Sequence, residues 1–171
     1  MKPLISSRSR RKTASAVVAI SIVSTCAIAV TGCARSSDPE IAPLACLSGT
    51  EAYLTALEGA PGRVEMDDGA RISECLPAQQ PGGEMATVGS DLVAAATILN
   101  ADALEDPAGP WSLRAGYLLG AVERAAESTN GIHSDLVRRV NTAARYVPPG
   151  DDPEVLMPGF KRGLEAGKVR G

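Results

Sequence analysis

The sequence predicts a single all-α domain, a bundle of about five helices, and three observations lead there. Apolar residues recur at three- and four-residue steps through most of the chain after residue 84. Clusters of Pro and Gly at 59–62, 77–83, 107–110 and 148–150 divide those stretches into helix-sized pieces. Aromatic residues make up only 3% of the 171, so small aliphatic side chains must fill the core, which favours closely packed helices. A chain of this length has room for one core and little more.

Residues 33–44, with Ser36, Ser37, Pro39 and Pro43, read as a flexible tether; at full extension such a segment reaches about 35–40 Å. The all-helical body is expected over 45–171. Leu47, Tyr53, Leu54 and Leu57 permit a first helix from Ala45 to about Glu58, stopped by Gly59-Ala60-Pro61-Gly62. Val64 and Met66 alternate with Arg63 and Glu65, and Asp67-Asp68-Gly69 is turn chemistry, so one short β-hairpin is expected near residues 63–72. The two aspartates belong to that turn, since the spaced oxygen ligands of a calcium loop are missing.

Met85, Val88, Leu92, Ala95 and Leu99 share one face of a second helix that should run to about Leu104. Pro110 suits the start of a third, because its missing N–H would have no partner there. Ala115, Leu118, Leu119, Val122, Ala125 and Ala126 form that helix's apolar face. Asn130-Gly131 fits its end, with Gly131 left-handed and Ile132 packing back. Ser134 resembles the N-cap of a fourth helix carrying Leu136, Val137, Val140, Ala143, Ala144 and Val147 inward, ended by Pro148-Pro149-Gly150. A last helix is firm after Pro158.

Charge is unevenly spread. Five of the 17 basic residues (Lys2, Arg8, Arg10, Arg11, Lys12) and none of the 20 acidic ones lie in residues 1–32, which leaves 33–171 at a net −8. So acidic a body is repelled by phosphate backbones and anionic head groups, which argues against nucleic acid and against electrostatic membrane docking. The basic start is followed by an uncharged run, Ala14 to Thr31, which is the layout of an export signal. That run ends at Val30-Thr31-Gly32-Cys33.

This tetrapeptide resembles the lipobox of bacterial lipoproteins, in which an aliphatic and two small residues precede a cysteine. The resemblance covers the first 33 residues. It implies that Cys33 receives a diacylglyceryl group, that cleavage falls between Gly32 and Cys33, and that residues 1–32 are a removed signal peptide. The partner so implied is a lipid bilayer, held through acyl chains on Cys33 at the extracytoplasmic face of a bacterial membrane. Arg10-Arg11 loosely resembles a twin-arginine signal, but Lys12-Thr13-Ala14 lacks the bulky apolar residues that follow one, so the general secretory route is preferred. An uncleaved anchor gives no reason for a cysteine at the end of the apolar run.

Of four cysteines, Cys26 falls in the discarded segment and Cys33 is reserved for lipid. Cys46 and Cys75 remain, and in an oxidising exterior they read as a disulfide. No metal and no cofactor is expected, since His133 is the single histidine and no second cysteine pair exists.

The candidate polar site is thin. His133, with Asp135 nearby and Glu127 one connection away, is the only set that could do acid–base work, and a capping or packing role is the expected one. Arg138, Thr142 and Arg145 share a helix face that could receive an anion, and Asp135 can pair with Arg139. Glu123 and Glu127 lack the Glu-x-x-His partner of a carboxylate-bridged metal site. Gly163-Leu164-Glu165-Ala166-Gly167-Lys168 is one residue short of a phosphate loop, and no strand precedes it. Gly159, Gly163 and Gly167, like Gly116 and Gly120, instead suggest two helix backbones in close approach. No Gly-x-Ser-x-Gly elbow is present. The expectation is therefore a binding or interaction module of the cell envelope, its protein or small ligand unknown. The rival is a small envelope hydrolase or metal-dependent enzyme built on His133 with Asp135 or Glu127.

Overall fold

The computed structural model describes residues 38–145, 147 and 157–171. Among them are five α-helices and no strand: α1 Thr50–Ala56, α2 Gly82–Glu105, α3 Trp111–Ser128, α4 Ser134–Ala144 and α5 Met157–Arg170. The protein is all-α, as its periodicity predicts. None of these helices is long and apolar enough to cross a membrane.

The first expected helix is broken into pieces. A 3-10 turn, Leu44–Leu47, precedes α1, and a second, Leu57–Gly59, follows it. The break falls at Gly49, whose φ of +88° no helix can accommodate. Tyr53 and Leu57 are fully buried, with α1 packed on α2 and the turn at Leu57–Gly59 on α3.

No hairpin forms at 63–72. Val64 and Met66 do point inward, at 2% and 3% exposure, so the alternation is real. Pairing stops at the single bond from Met66 N–H to the Ala70 carbonyl, because the return donor of that pair, Ala70 N–H, is taken locally. Ala70 N–H donates to Asp68 Oδ1 and Arg71 N–H to Glu74 Oε2, at 3.0 and 2.8 Å. A strand whose donors are satisfied by its own side chains cannot extend. The chain instead winds into a 3-10 turn, Ile72–Cys75.

The segment expected to be tether is docked from Glu40 onward. Glu40 N–H donates to the Gln79 carbonyl at 3.2 Å, and Ala42, only 4% exposed, donates to Glu84 Oε2 at 3.3 Å.

α2 buries Val88, Leu92, Ala95, Ala96 and Leu99, while Met85 hangs outside its first turn. Pro110 sits at the N-cap of α3, whose buried residues run almost without interruption from Ala115 to Val122. So apolar a helix must be covered on several sides, and α2, α4, α5 and the turn at 72–75 cover it.

The closest of these contacts is α3 against α5. A Cβ built on Gly116 would collide with the Phe160 carbonyl, on Gly120 with the Leu164 carbonyl, on Gly163 with Leu113 and on Gly167 with Tyr117. Backbone therefore lies on backbone over the length of α5, as the glycine spacing predicts. The 163–168 segment is interior to this helix, which removes any resemblance to a phosphate loop. Arg124 Nη1 donates to the Lys168 and Val169 carbonyls, and Arg170 Nη1 to the Pro61 carbonyl, so the last turn of α5 is tied to the body.

Candidate functional site

α3 ends in a six-residue closure. Asn130, at φ +55°, takes the left-handed position immediately after the helix. Gly131 N–H donates back to the Ala126 carbonyl at 2.7 Å and Asn130 N–H to Glu127 at 3.4 Å, which together satisfy two of the helix's last carbonyls. Gly131 also has positive φ, as expected, but Ile132 is 53% exposed and does not pack back. The turn that throws Ile132 outward carries His133 inward.

His133 occupies the N-cap position of α4 without capping it. Ser134, expected there, is the helix's first residue, and its hydroxyl donates to the Gly131 carbonyl. The His133 ring is 2% exposed, and its Nε2 lies 3.2 Å from the Pro77 carbonyl. A carbonyl only accepts, so Nε2 carries the proton. Nδ1 is buried with no partner. Among the described residues no carboxylate hydrogen-bonds to the ring, as the partner of a catalytic base would.

The neighbouring charges are engaged elsewhere. Asp135 forms an ion pair with Arg138 three residues on, not with Arg139. Thr142 Oγ1 donates to the Arg138 carbonyl at 2.9 Å, and the Arg145 guanidinium sits 5.6 Å from the centre of the Phe160 ring. Arg138, Thr142 and Arg145 thus each have a partner, that of Arg145 lying on α5.

What the closure does create is an open cleft between α3 and α4 of about 500 Å3, lined by Glu123, Ala126, Glu127, Asn130, Gly131, Ser134 and Val137. Its lining combines two carboxylates, Glu123 and Glu127, with the apolar Ala126 and Val137. Lys168 reaches Glu123 Oε2 at 2.7 Å, and its ammonium pKa is raised by that hydrogen bond and by the charges of Glu123 and Glu127. Neither His133 nor Asp135 lines this cleft. Among the described residues no three His, Cys, Asp or Glu side chains are placed to hold a metal ion. No sequence pattern marks the cleft beyond small Ala126 shortly before Asn130-Gly131.

Cys46 and Cys75 form a disulfide, with Cα atoms 5.5 Å apart and both residues fully buried. The bridge ties the 3-10 turn at Leu44–Leu47 to that at Ile72–Cys75. Tyr53 Oη donates to the Cys46 carbonyl at 2.7 Å and Gln80 Nε2 to the Cys75 carbonyl at 3.2 Å, so both ends are also held by hydrogen bonds. Gly32 and Cys33 lie outside the described residues.

Comparison with protein-family models, with curated proteins and with solved structures finds no match to this chain.

Proposed function

We propose that this chain is an extracytoplasmic lipoprotein, anchored by acyl chains on Cys33, whose acidic helical body serves as a binding or interaction module of the cell envelope. The observation that carries the reading is Val30-Thr31-Gly32-Cys33 at the end of an uncharged run behind a basic start. Two further facts support it. A buried disulfide is a feature of proteins that mature in an oxidising exterior. With lipid carrying the affinity for the membrane, a body of net charge −8 needs no electrostatic attraction to it.

The module reading draws on the α3–α4 cleft. Its apolar and acidic lining residues fit a partner that presents a basic side chain beside an aliphatic one, in competition with Lys168 for Glu123. The enzyme reading finds no support in His133, which is buried against the Pro77 carbonyl.

Expression of Cys33→Ala in a bacterial host tests the anchor. Accumulation of unprocessed, unacylated precursor is expected, and normal processing would refute the reading.

A further inference from the structure

Ile41 and Leu44 are the most exposed large hydrophobic residues among those described, at 73% and 80%. They are not on loose chain. Glu40, Ala42 and Ala45 donate their backbone N–H groups to the Gln79 carbonyl, Glu84 Oε2 and Asp68 Oδ2 respectively. Ala42 and Ala45 are buried. The two aliphatic side chains are thus held outward by a backbone pinned on both sides of each, and neither can fold back onto the core.

We propose that Ile41 and Leu44 seat on the surface of a phospholipid bilayer and set the orientation in which the domain stands on it; the proposal rests on the lipidation of Cys33 put forward above. Ile41 is eight positions after Cys33, so the backbone at Ile41 is at most about 28 Å from that at Cys33. The bilayer is then the apolar phase that the pair meets at highest effective concentration. Two side chains are far too small a patch for a protein interface, which needs about 800 Å2 from each partner. They suffice for a lipid surface because the anchor already supplies the affinity. Asp38 and Glu40 are exposed beside them, which keeps the contact shallow and disfavours anionic lipid.

The mature chain allows a direct test. Cys46 and Cys75 are bonded to each other, so Cys33 is its free thiol and can be coupled to a maleimide lipid in phosphatidylcholine vesicles with brominated acyl chains. Trp111 is the only tryptophan and is replaced by Trp111→Phe. In that background Leu44→Trp should lose emission to bromine and shift to shorter wavelength. Ile98→Trp, about 21 Å along α2 from Glu84, should do neither. Equal quenching at both positions would overturn the proposal, as would Leu44→Trp emission that ignores bromine. So would a shift that depends on protein surface density without bromine quenching, since a second copy would then cover the pair. Acylated native protein together with unquenched Leu44→Trp would sink the docking alone. Native protein lacking acyl chains on Cys33 would sink the anchor and, with it, this proposal.

Discussion

The backbone of Gly163 rests directly on the Leu113 carbonyl, so that a Cβ at 163 would fall well inside the 3.0 Å that real Cβ atoms keep from any other heavy atom. The obstacle is backbone of a buried helix, which cannot swing aside like a side-chain tip. Gly163→Ala should therefore destabilise the domain by about 3 kcal/mol or more, beyond ordinary overpacking. Gly83→Ala, where nothing lies within 4 Å, is the contrasting case. It should be neutral or stabilising by about 0.5 kcal/mol, as alanine outperforms glycine in an unobstructed helix. Urea unfolding of both variants checks the pair.

The disulfide closes a loop between residues 29 apart in sequence. Restricting the unfolded chain by a loop of that size is worth about 3–4 kcal/mol. Replacing both cysteines by alanine should lower the unfolding midpoint accordingly. Tyr53→Phe, which removes only the hydrogen bond to the Cys46 carbonyl, should cost about 1 kcal/mol.

Burial, and secondarily the negative charge of Asp91, pushes the Tyr53 hydroxyl pKa well above 10.0; burial also raises Tyr117 against the opposing charges of Arg170, Arg124 and Arg71. The unfolded chain gives up these protons near the ordinary tyrosine value of about 10. Between that pH and the raised folded values the unfolded state binds fewer protons than the native one, so stability falls as pH rises. The contribution is full below about pH 10 and is lost above it. Absorbance titration should show both phenols ionising together with unfolding rather than before it. Ionisation of Tyr53 in protein still folded by circular dichroism would contradict this.

Asn130 holds a left-handed backbone at the end of α3. Asn130→Gly should be neutral or stabilising, whereas Asn130→Ala should cost about 1 kcal/mol through the Cβ clash with the carbonyl. Thermal unfolding of the two variants should move in opposite directions or differ clearly in size.

Much of this architecture can be read from local chemistry. The four-residue glycine steps at 116 and 120 and at 163 and 167 announce backbone contact because a side chain at any of those positions would prevent it, whereas Gly159 meets only the Ser112 hydroxyl at close range. Asn130-Gly131 marks a helix end because few residues tolerate its dihedral angles. The hairpin expected at 63–72 fails for a reason that alternation does not register, the capture of the Ala70 backbone donor by Asp68. The docking of Glu40 and Ala42 depends on Gln79 and Glu84, 39 and 42 residues away, which no local pattern encodes. The same holds for His133, whose partner Pro77 lies in another loop. The cleft between α3 and α4 is a gap, legible only once both helices are placed.

The anchor is the claim on which the rest depends, and the intact mass of protein extracted from membranes tests it most directly. A chain that begins at Cys33 and carries acyl groups there is the expected result. A chain still containing residues 1–32, or one cut at Cys33 but bearing no lipid, would contradict the account.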